Sequence, residues 1–314
     1  MESFPPQNLA AVAQPGVIIS NCWPQSRGTE GATLTAIEQV LAGFPFFEAF
    51  QTVDIPFSAE RRSVRRLLGD QGRAHTYTLT RVLGEKGVSL SSLDPENRRR
   101  ACEVAIENMG CAVESGANAL GLISGPRPKE ADRRVEALAA LEESLDTVIA
   151  GSRAFPGLSV LIEPLDYEAH KRNTLGRNSE AVAIASRLSR RDRSLRLCLD
   201  TAHLILNGED VPAAVAEARA FISEFHFCNC VLDRSHPLFG DHHLPFGPPG
   251  VVGVEEIAGI MAAFFRAGYF SVEARPRIYC EVWKPDAQDS LAVVAHCQDA
   301  LERGWARARQ LLGA

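Results

Sequence analysis

Four short apolar runs in the second half of this 314-residue chain end in a side chain that can carry a proton or a metal. Leu161-Ile162 ends in Glu163. Leu197-Cys198-Leu199 ends in Asp200, followed by Thr201-Ala202-His203. Glu224-Phe225 leads to His226, and Ile278-Tyr279-Cys280 leads to Glu281. A carboxylate closing an apolar strand is costly to bury unless it is paired or bound to a cation. One such acid is as readily structural as functional, since it can cap the next helix or bridge to a neighbour. Three carboxylates and one imidazole at separate strand ends are harder to explain that way. Strand alternation turns Glu163, Asp200, His226 and Glu281 to a common side, where like charges repel strongly without a cation. An oxygen-rich set with one imidazole suits a single divalent ion: Mn²⁺, Mg²⁺ or Co²⁺, with Zn²⁺ also within its range. His203, His226, His236, His242 and His243 crowd one quarter of the chain, whereas His75, His170 and His296 do not. His203 sits just past a strand-end Asp, which favours a functional role over a plain helix start.

These groups need a scaffold. Runs of strand length and composition occur at Val17-Ser20, Phe46-Thr52, Ala74-Thr80, Ala119-Ser124, Leu158-Glu163, Leu195-Asp200, Phe221-Cys228 and Ile278-Val282. Amphipathic stretches lie between them. Thr35 with Glu38 reads as a capping box before Ile37, Val40 and Leu41. Leu138, Leu141, Leu145, Val148 and Ile149 form one helical stripe, and Ile257, Ile260, Met261, Phe264 and Phe265 form another, closed by Gly268. Asp210 before Pro212 marks a further helix start, and another helix follows Asp289. Residues 94 to 116 read as helix as well. Eight strand–helix units predict an α/β chain folded as a single (β/α)8 TIM barrel over residues 1–314. An open doubly wound sheet is the rival, but neither GxGxxG nor GxxxxGK[ST] is present. A barrel gathers its chemistry at the carboxyl ends of the strands, where the three acids and the imidazole fall.

Composition narrows the partners. The formal net charge of -6 argues against nucleic acid, whose phosphates call for a basic surface. No apolar run approaches the ~18 residues of a membrane span. The opening MESFPPQNLAAVAQPG lacks a basic segment followed by an apolar stretch, so no secretory leader is expected. The eight cysteines are scattered through apolar stretches with no CxxC pair. They read as reduced, mostly buried residues of a cytoplasmic protein rather than a finger-type zinc site.

At the same residues the chain resembles the xylose isomerase-like barrels, which include sugar-phosphate isomerases and epimerases. The motifs are IEPLDYE at Ile162-Glu168, LDTAH at Leu199-His203, FHF at Phe225-Phe227, DHHLPFGPPG at Asp241-Gly250 and CEV at Cys280-Val282. The likeness is good over Leu158 to Trp283, and in the first half it lies only in the order of elements. It implies one divalent metal, commonly Mn²⁺, held by Glu163, Asp200, His226 and Glu281. It also implies acid and base roles for Glu163 and Glu281 on opposite faces of a sugar, and a substrate contact for His203. Positions matching Asp241 and His243 bind an additional zinc in the apurinic endonuclease branch; here they could contact substrate or close a loop. Family ketose 3-epimerases often carry an Arg six residues after the metal His and a Glu six after the first ligand. Here those positions are Leu232, with Arg234 nearby, and Ala169, between Glu168 and His170.

The resemblance therefore implies an isomerase or epimerase that abstracts a proton beside a carbonyl, with a metal-stabilised enediolate. HKRNTLG at His170-Gly176 and SGPRP at Ser124-Pro128 are similar to the catalytic subunits of bacterial C-glycoside deglycosidases, which makes a metal-dependent lyase the second reading. Such a lyase needs aromatic walls, for which Trp23, Trp283, Phe239 and Phe246 are candidates. Phosphodiester cleavage at a zinc cluster and a non-catalytic sugar-binding barrel are further alternatives. The expected partners are a small carbohydrate and, for assembly, a second copy or a partner subunit. Gly247 to Gly250 read as a turn-rich loop, a candidate lid. Lys171 and Arg172 could reach a substrate phosphate or carboxylate. Arg61-Arg62 with Arg65-Arg66, Arg98 to Arg100, and Arg187 to Arg193 read as solvated helix faces.

Overall fold

The computed structural model describes residues 5–189 and 195–314; Arg190, Arg191 and Arg193 of the last basic run lie outside them. Eight parallel strands close into a barrel: β1 Gln14–Ile18, β2 Ala49–Val53, β3 Ala74–Thr78, β4 Ala119–Ile123, β5 Ser159–Glu163, β6 Arg196–Asp200, β7 Ile222–Phe227 and β10 Arg277–Cys280. A separate antiparallel hairpin, β8 Asn229–Val231 with β9 Gly240–Leu244, follows β7. The helices are α1 Ile19–Cys22, α2 Ala32–Gly43, α3 Ser58–Asp70, α4 Thr80–Glu85, α5 Pro95–Glu114, α6 Arg134–Gly151, α7 Asn178–Leu188, α8 Thr201–Leu206, α9 Val211–Ala218, α10 Val254–Arg266 and α11 Ser290–Leu311. Among the described residues no helix is long and apolar enough to cross a membrane.

Local chemistry sets the helix starts. Asp94, Asp210 and Asp289 each accept a backbone N–H at the first turn of α5, α9 and α11, and proline follows the first two caps closely. The capping box expected at Thr35 is absent: α2 begins three residues earlier, so Thr35 lies within the helix. The first strand also starts and ends earlier than its apolar run suggested, because Ile19 and Ser20 turn into α1. Outward strand residues such as Phe50, Ile162, Phe225 and Ile278 bury against the helix stripes in one main core. Ile18, Ala49 and Tyr279 form a separate apolar cluster inside the barrel.

Basic side chains do more than solvate the surface. Arg61 bonds Glu114 at 2.6 Å and the Ile55 carbonyl at 2.7 Å, tying α3 to α5. The Gly247–Gly250 turn is not built as a lid. The Asn229 side chain donates to the carbonyls of Pro245 and Gly247 and accepts from Val252 N–H, all within 2.8 Å, which pins the loop to the hairpin.

Gly16 in β1 faces the Tyr279 ring, and a Cβ there would lie 2.4 Å from Tyr279 Cε1. The ring is fully buried, so relief needs backbone movement. Gly16→Ala is expected to destabilise the fold by about 1–3 kcal/mol. Chemical denaturation checks this; an unchanged midpoint would show that the barrel interior yields freely.

Candidate active site

The barrel interior is polar from its middle upward. Glu224, two residues before His226 and on the same side of β7, accepts from Thr76 Oγ1 at 2.5 Å and from Arg277 at 2.9 Å. That pairing neutralises Glu224 and explains why this fourth inward acid stays out of the cluster above it.

The register pairs Asp200 with His226, and His226 with Tyr279, directly before the stretch that ends at Glu281. Glu163 closes β5, and Glu281 follows the last residue of β10. One ligand atom each from Glu163, Asp200, His226 and Glu281 lies within 4.8 Å of all the others. His226 Nδ1 is 2.7 Å from Glu281 Oε2 and 3.6 Å from Glu163 Oε1. Asp200 Oδ1 caps α8 by accepting His203 N–H at 3.0 Å, while Oδ2, buried, has no hydrogen-bond partner among the described residues. A carboxylate oxygen left bare beside two further carboxylates and an imidazole is the donor set of an oxygen-rich divalent-cation site. The four residues fit such an ion.

The charges are strongly perturbed. Burial pushes the Glu163 carboxyl up to about 7, and nearby Glu281 adds to this although His226 opposes it. Burial likewise raises Asp200 to about 6, with Glu281 and Asp241 adding to the rise. Burial would raise Glu281 too, but His243 and His226 hold it well below the usual range.

A second layer positions the first. His243 Nε2 lies 2.9 Å from Glu281 Oε1, placed to donate to it, and its ring stacks on Trp283 with centroids 4.6 Å apart. His243 has a left-handed backbone, φ 51°, a strained setting for a non-glycine residue that turns this ring into the site. His203 packs against Asp166: its Nδ1 is 3.5 Å from Asp166 Oδ2. Asp166 also accepts the N–H groups of His170 and Lys171. Burial opposes a charged His203, yet Asp166 and Asp200 raise it to about 9.

The cavity above this floor has a volume of about 420 Å³. Glu163, Glu281, His203, His226, His243 and Trp283 line it. Two expected substrate contacts, Trp23 and Asp241, lie outside this lining. Trp23 is buried between the barrel and α2, with its indole N–H 3.2 Å from Gln39 Oε1, and does not line the cavity. Its ring is part of the main core between strands and helices. Asp241 also stays behind the wall, fully buried, 3.0 Å from Lys171 Nζ and 3.3 Å from Cys228 Sγ. It holds Lys171 and the His243 N–H rather than facing the cavity. Phe239 and Phe246 lie outside the lining as well, leaving Trp283 as the aromatic wall from that set. Asp166, Asn21 and Arg27 were missed; the EPxD spacing after Glu163 was the available signal for Asp166.

The segments His170-Gly176 and Ser124-Pro128 meet in space. Arg127 N–H donates to the Arg172 carbonyl at 2.9 Å, and Thr174 N–H to the Gly125 carbonyl at 3.0 Å. They build the wall that carries Lys171 and Asn173 into the cavity.

The profile of the xylose isomerase-like TIM barrels matches residues 40–297. The chain belongs to that family. Solved structures similar to this member include an L-ribulose 3-epimerase, with 18% identity, 96% of this chain and 98% of the other covered, and a TM-score of 0.69. A D-psicose 3-epimerase from Clostridium cellulolyticum H10 has 16% identity, 96% and 97% coverage, and a TM-score of 0.64. A 3-keto-D-glucoside 4-epimerase from E. coli has 13% identity, 95% and 99% coverage, and a TM-score of 0.62. At such identities the likeness establishes the shared fold.

His203 provides a pH test. Its folded-state pKa is raised above the ordinary 6.5. Its contribution to stability is therefore fully present below 6.5 and is lost as pH rises through about 9. Asp166→Asn should destabilise the metal-free protein by about 3 kcal/mol near pH 6, with the gap narrowing above about pH 9. Denaturant unfolding at both pH values checks this; a gap that does not vary with pH would remove the His203–Asp166 ion pair.

Proposed function

We propose that this protein is a divalent-metal-dependent isomerase or epimerase of a sugar or sugar derivative. The observation that carries this reading is the convergence of Glu163, Asp200, His226 and Glu281 within 4.8 Å, with Glu163, His226 and Glu281 lining a cavity of monosaccharide scale and Asp200 buried behind them. These four residues would hold the ion, and Mn²⁺ is the first choice among Mn²⁺, Mg²⁺, Co²⁺ and Zn²⁺. When bound, a divalent ion supplies Lewis-acid polarisation of a carbonyl and a neighbouring hydroxyl.

The chain's own residues do the proton chemistry. Glu163 and Glu281 reach the floor from different strands, and both line the cavity. One carboxylate removes the proton on the carbon beside the carbonyl, and the other returns a proton. In the reverse direction the roles exchange, as microscopic reversibility requires. Such positioned groups typically contribute 10²–10⁴-fold. His226 and His243 orient Glu281. His203, held charged by Asp166, donates to a substrate oxygen. The family match supports an enzyme of this class, and the eight cysteines, none in a disulfide, suit a cytoplasmic setting.

Incubating the Mn²⁺-loaded protein with a panel of ketoses and ketose acids in D₂O tests this. We expect deuterium at the carbon beside the carbonyl of at least one sugar, with exchange stopped by chelation. Exchange that continues undiminished after the metal is removed would contradict the reading.

A further inference from the structure

Besides the histidines, three basic side chains line the cavity: Arg27, Arg81 and Lys171. Two are already matched by acids. Arg81 pairs with Asp54 and, at 2.7 Å, with Glu85; Lys171 pairs with Asp241 at 3.0 Å. Arg27 has no carboxylate within ion-pair distance among the described residues. The one hydrogen bond of its guanidinium there is a long contact of 3.4 Å to Asn21 Oδ1. Asn21 is 6% exposed, lines the same cavity, and its amide Nδ2 has no hydrogen-bond partner among the described residues. A buried amide donor without an acceptor is uncommon and points to a ligand that supplies one.

The three donors share a wall. The Arg27 guanidinium carbon lies 5.5 Å, and Lys171 Nζ 5.9 Å, from the Trp283 ring centre. Trp283 stacks on His243, which bonds Glu281. Trp283 and His243 thus link the donor group to Glu281 at the acid floor. Burial first, then the nearby Arg81 charge, disfavour protonated Arg27, and the Glu281 charge offsets this only in part; a bound anion would relieve the remainder.

We propose that the substrate is a keto-sugar acid whose carboxylate is held at the rim by Arg27 and Asn21, with Lys171 alongside. This rests on the reading of the floor as the site that takes the carbonyl end. One uncompensated guanidinium matches one negative charge, and its planar fork matches two coplanar carboxylate oxygens. A phosphate dianion would demand a second charge, and Lys171 is committed to Asp241.

D-fructuronate, D-fructose and D-fructose 6-phosphate differ only at the sixth carbon, and calorimetry of each with the Mn²⁺-loaded protein tests the proposal. We expect fructuronate to bind at least about ten-fold tighter than fructose, a difference of about 1.4 kcal/mol. We expect Arg27→Ala to shrink that ratio to about two-fold or less. Equal affinities in the parent protein, a ratio unchanged in Arg27→Ala, or tightest binding of the 6-phosphate would each overturn it. Metal-dependent binding of fructose without any acid preference would overturn the carboxylate site alone. Failure to bind any of the three sugars together with failure to take up Mn²⁺ would overturn the metal-centre reading as well.

Discussion

Glu281→Gln is expected to fold like the parent chain and to lose about 10³-fold or more in turnover, even at saturating Mn²⁺. The carboxylate is the hub of the floor: one oxygen is 2.7 Å from His226 Nδ1 and the other 2.9 Å from His243 Nε2. An amide has nearly the same shape but offers one acceptor and one donor. It cannot satisfy both imidazoles as the carboxylate does, and it takes up no proton at neutral pH. The loss of a general acid or base is worth 10²–10⁴-fold, and a weakened ligand set adds to it. Unchanged circular dichroism with turnover near zero is the expected pair of readings. Full activity in the purified variant would remove Glu281 from the chemistry.

Glu163→Gln should separate stability from function. Burial and the neighbouring Glu281 disfavour the Glu163 carboxylate, and its pKa lies at about 7. A folded-state pKa above the unfolded value means that the folded protein holds the extra proton between the ordinary carboxyl range and about 7. This group's contribution to stability thus falls as pH rises through that window. In the metal-free protein at about pH 8, Glu163→Gln is expected to raise the melting temperature, by on the order of 2 °C. Near pH 5 the gain should vanish, because the parent carboxyl is then protonated. With Mn²⁺ present the order reverses, since the parent chain gains stability by mass action and the variant gains little. Turnover should fall about 10²-fold or more. A variant that is less stable than its parent at every pH, with or without Mn²⁺, would show that Glu163 is an ordinary structural carboxylate.

The floor of the site was legible because each of its four residues lies at or next to the carboxyl end of an apolar strand, where a charge has few structural uses. Periodicity placed the eight barrel strands for the same reason, although it misjudged ends where apolar residues continue into a helical turn, as at Ile19 and Ser20. The second layer was harder. Asp241 has the residue type of a ligand, but its partner Lys171 lies seventy residues earlier, and only the fold brings them to 3.0 Å. Trp23 and Trp283 are equivalent as letters; which one faces the cavity depends on the direction in which the chain leaves α1 and β10. The β8–β9 hairpin was hidden because β8 has three residues and the segment after β9, PFGPPG, is rich in Gly and Pro. Arg27 and Asn21 sit in and beside α1 with no periodic pattern to mark them, so their meaning comes from what they lack as partners.

Elemental analysis of the protein purified without chelator, alongside Asp200→Asn and His226→Ala, is the most direct test of the metal centre. About one equivalent of a divalent transition metal or magnesium per parent chain is expected, with little retained by either variant. A parent chain that neither carries nor takes up a divalent ion, or variants that keep a full equivalent, would contradict the assignment of Glu163, Asp200, His226 and Glu281 as its ligands.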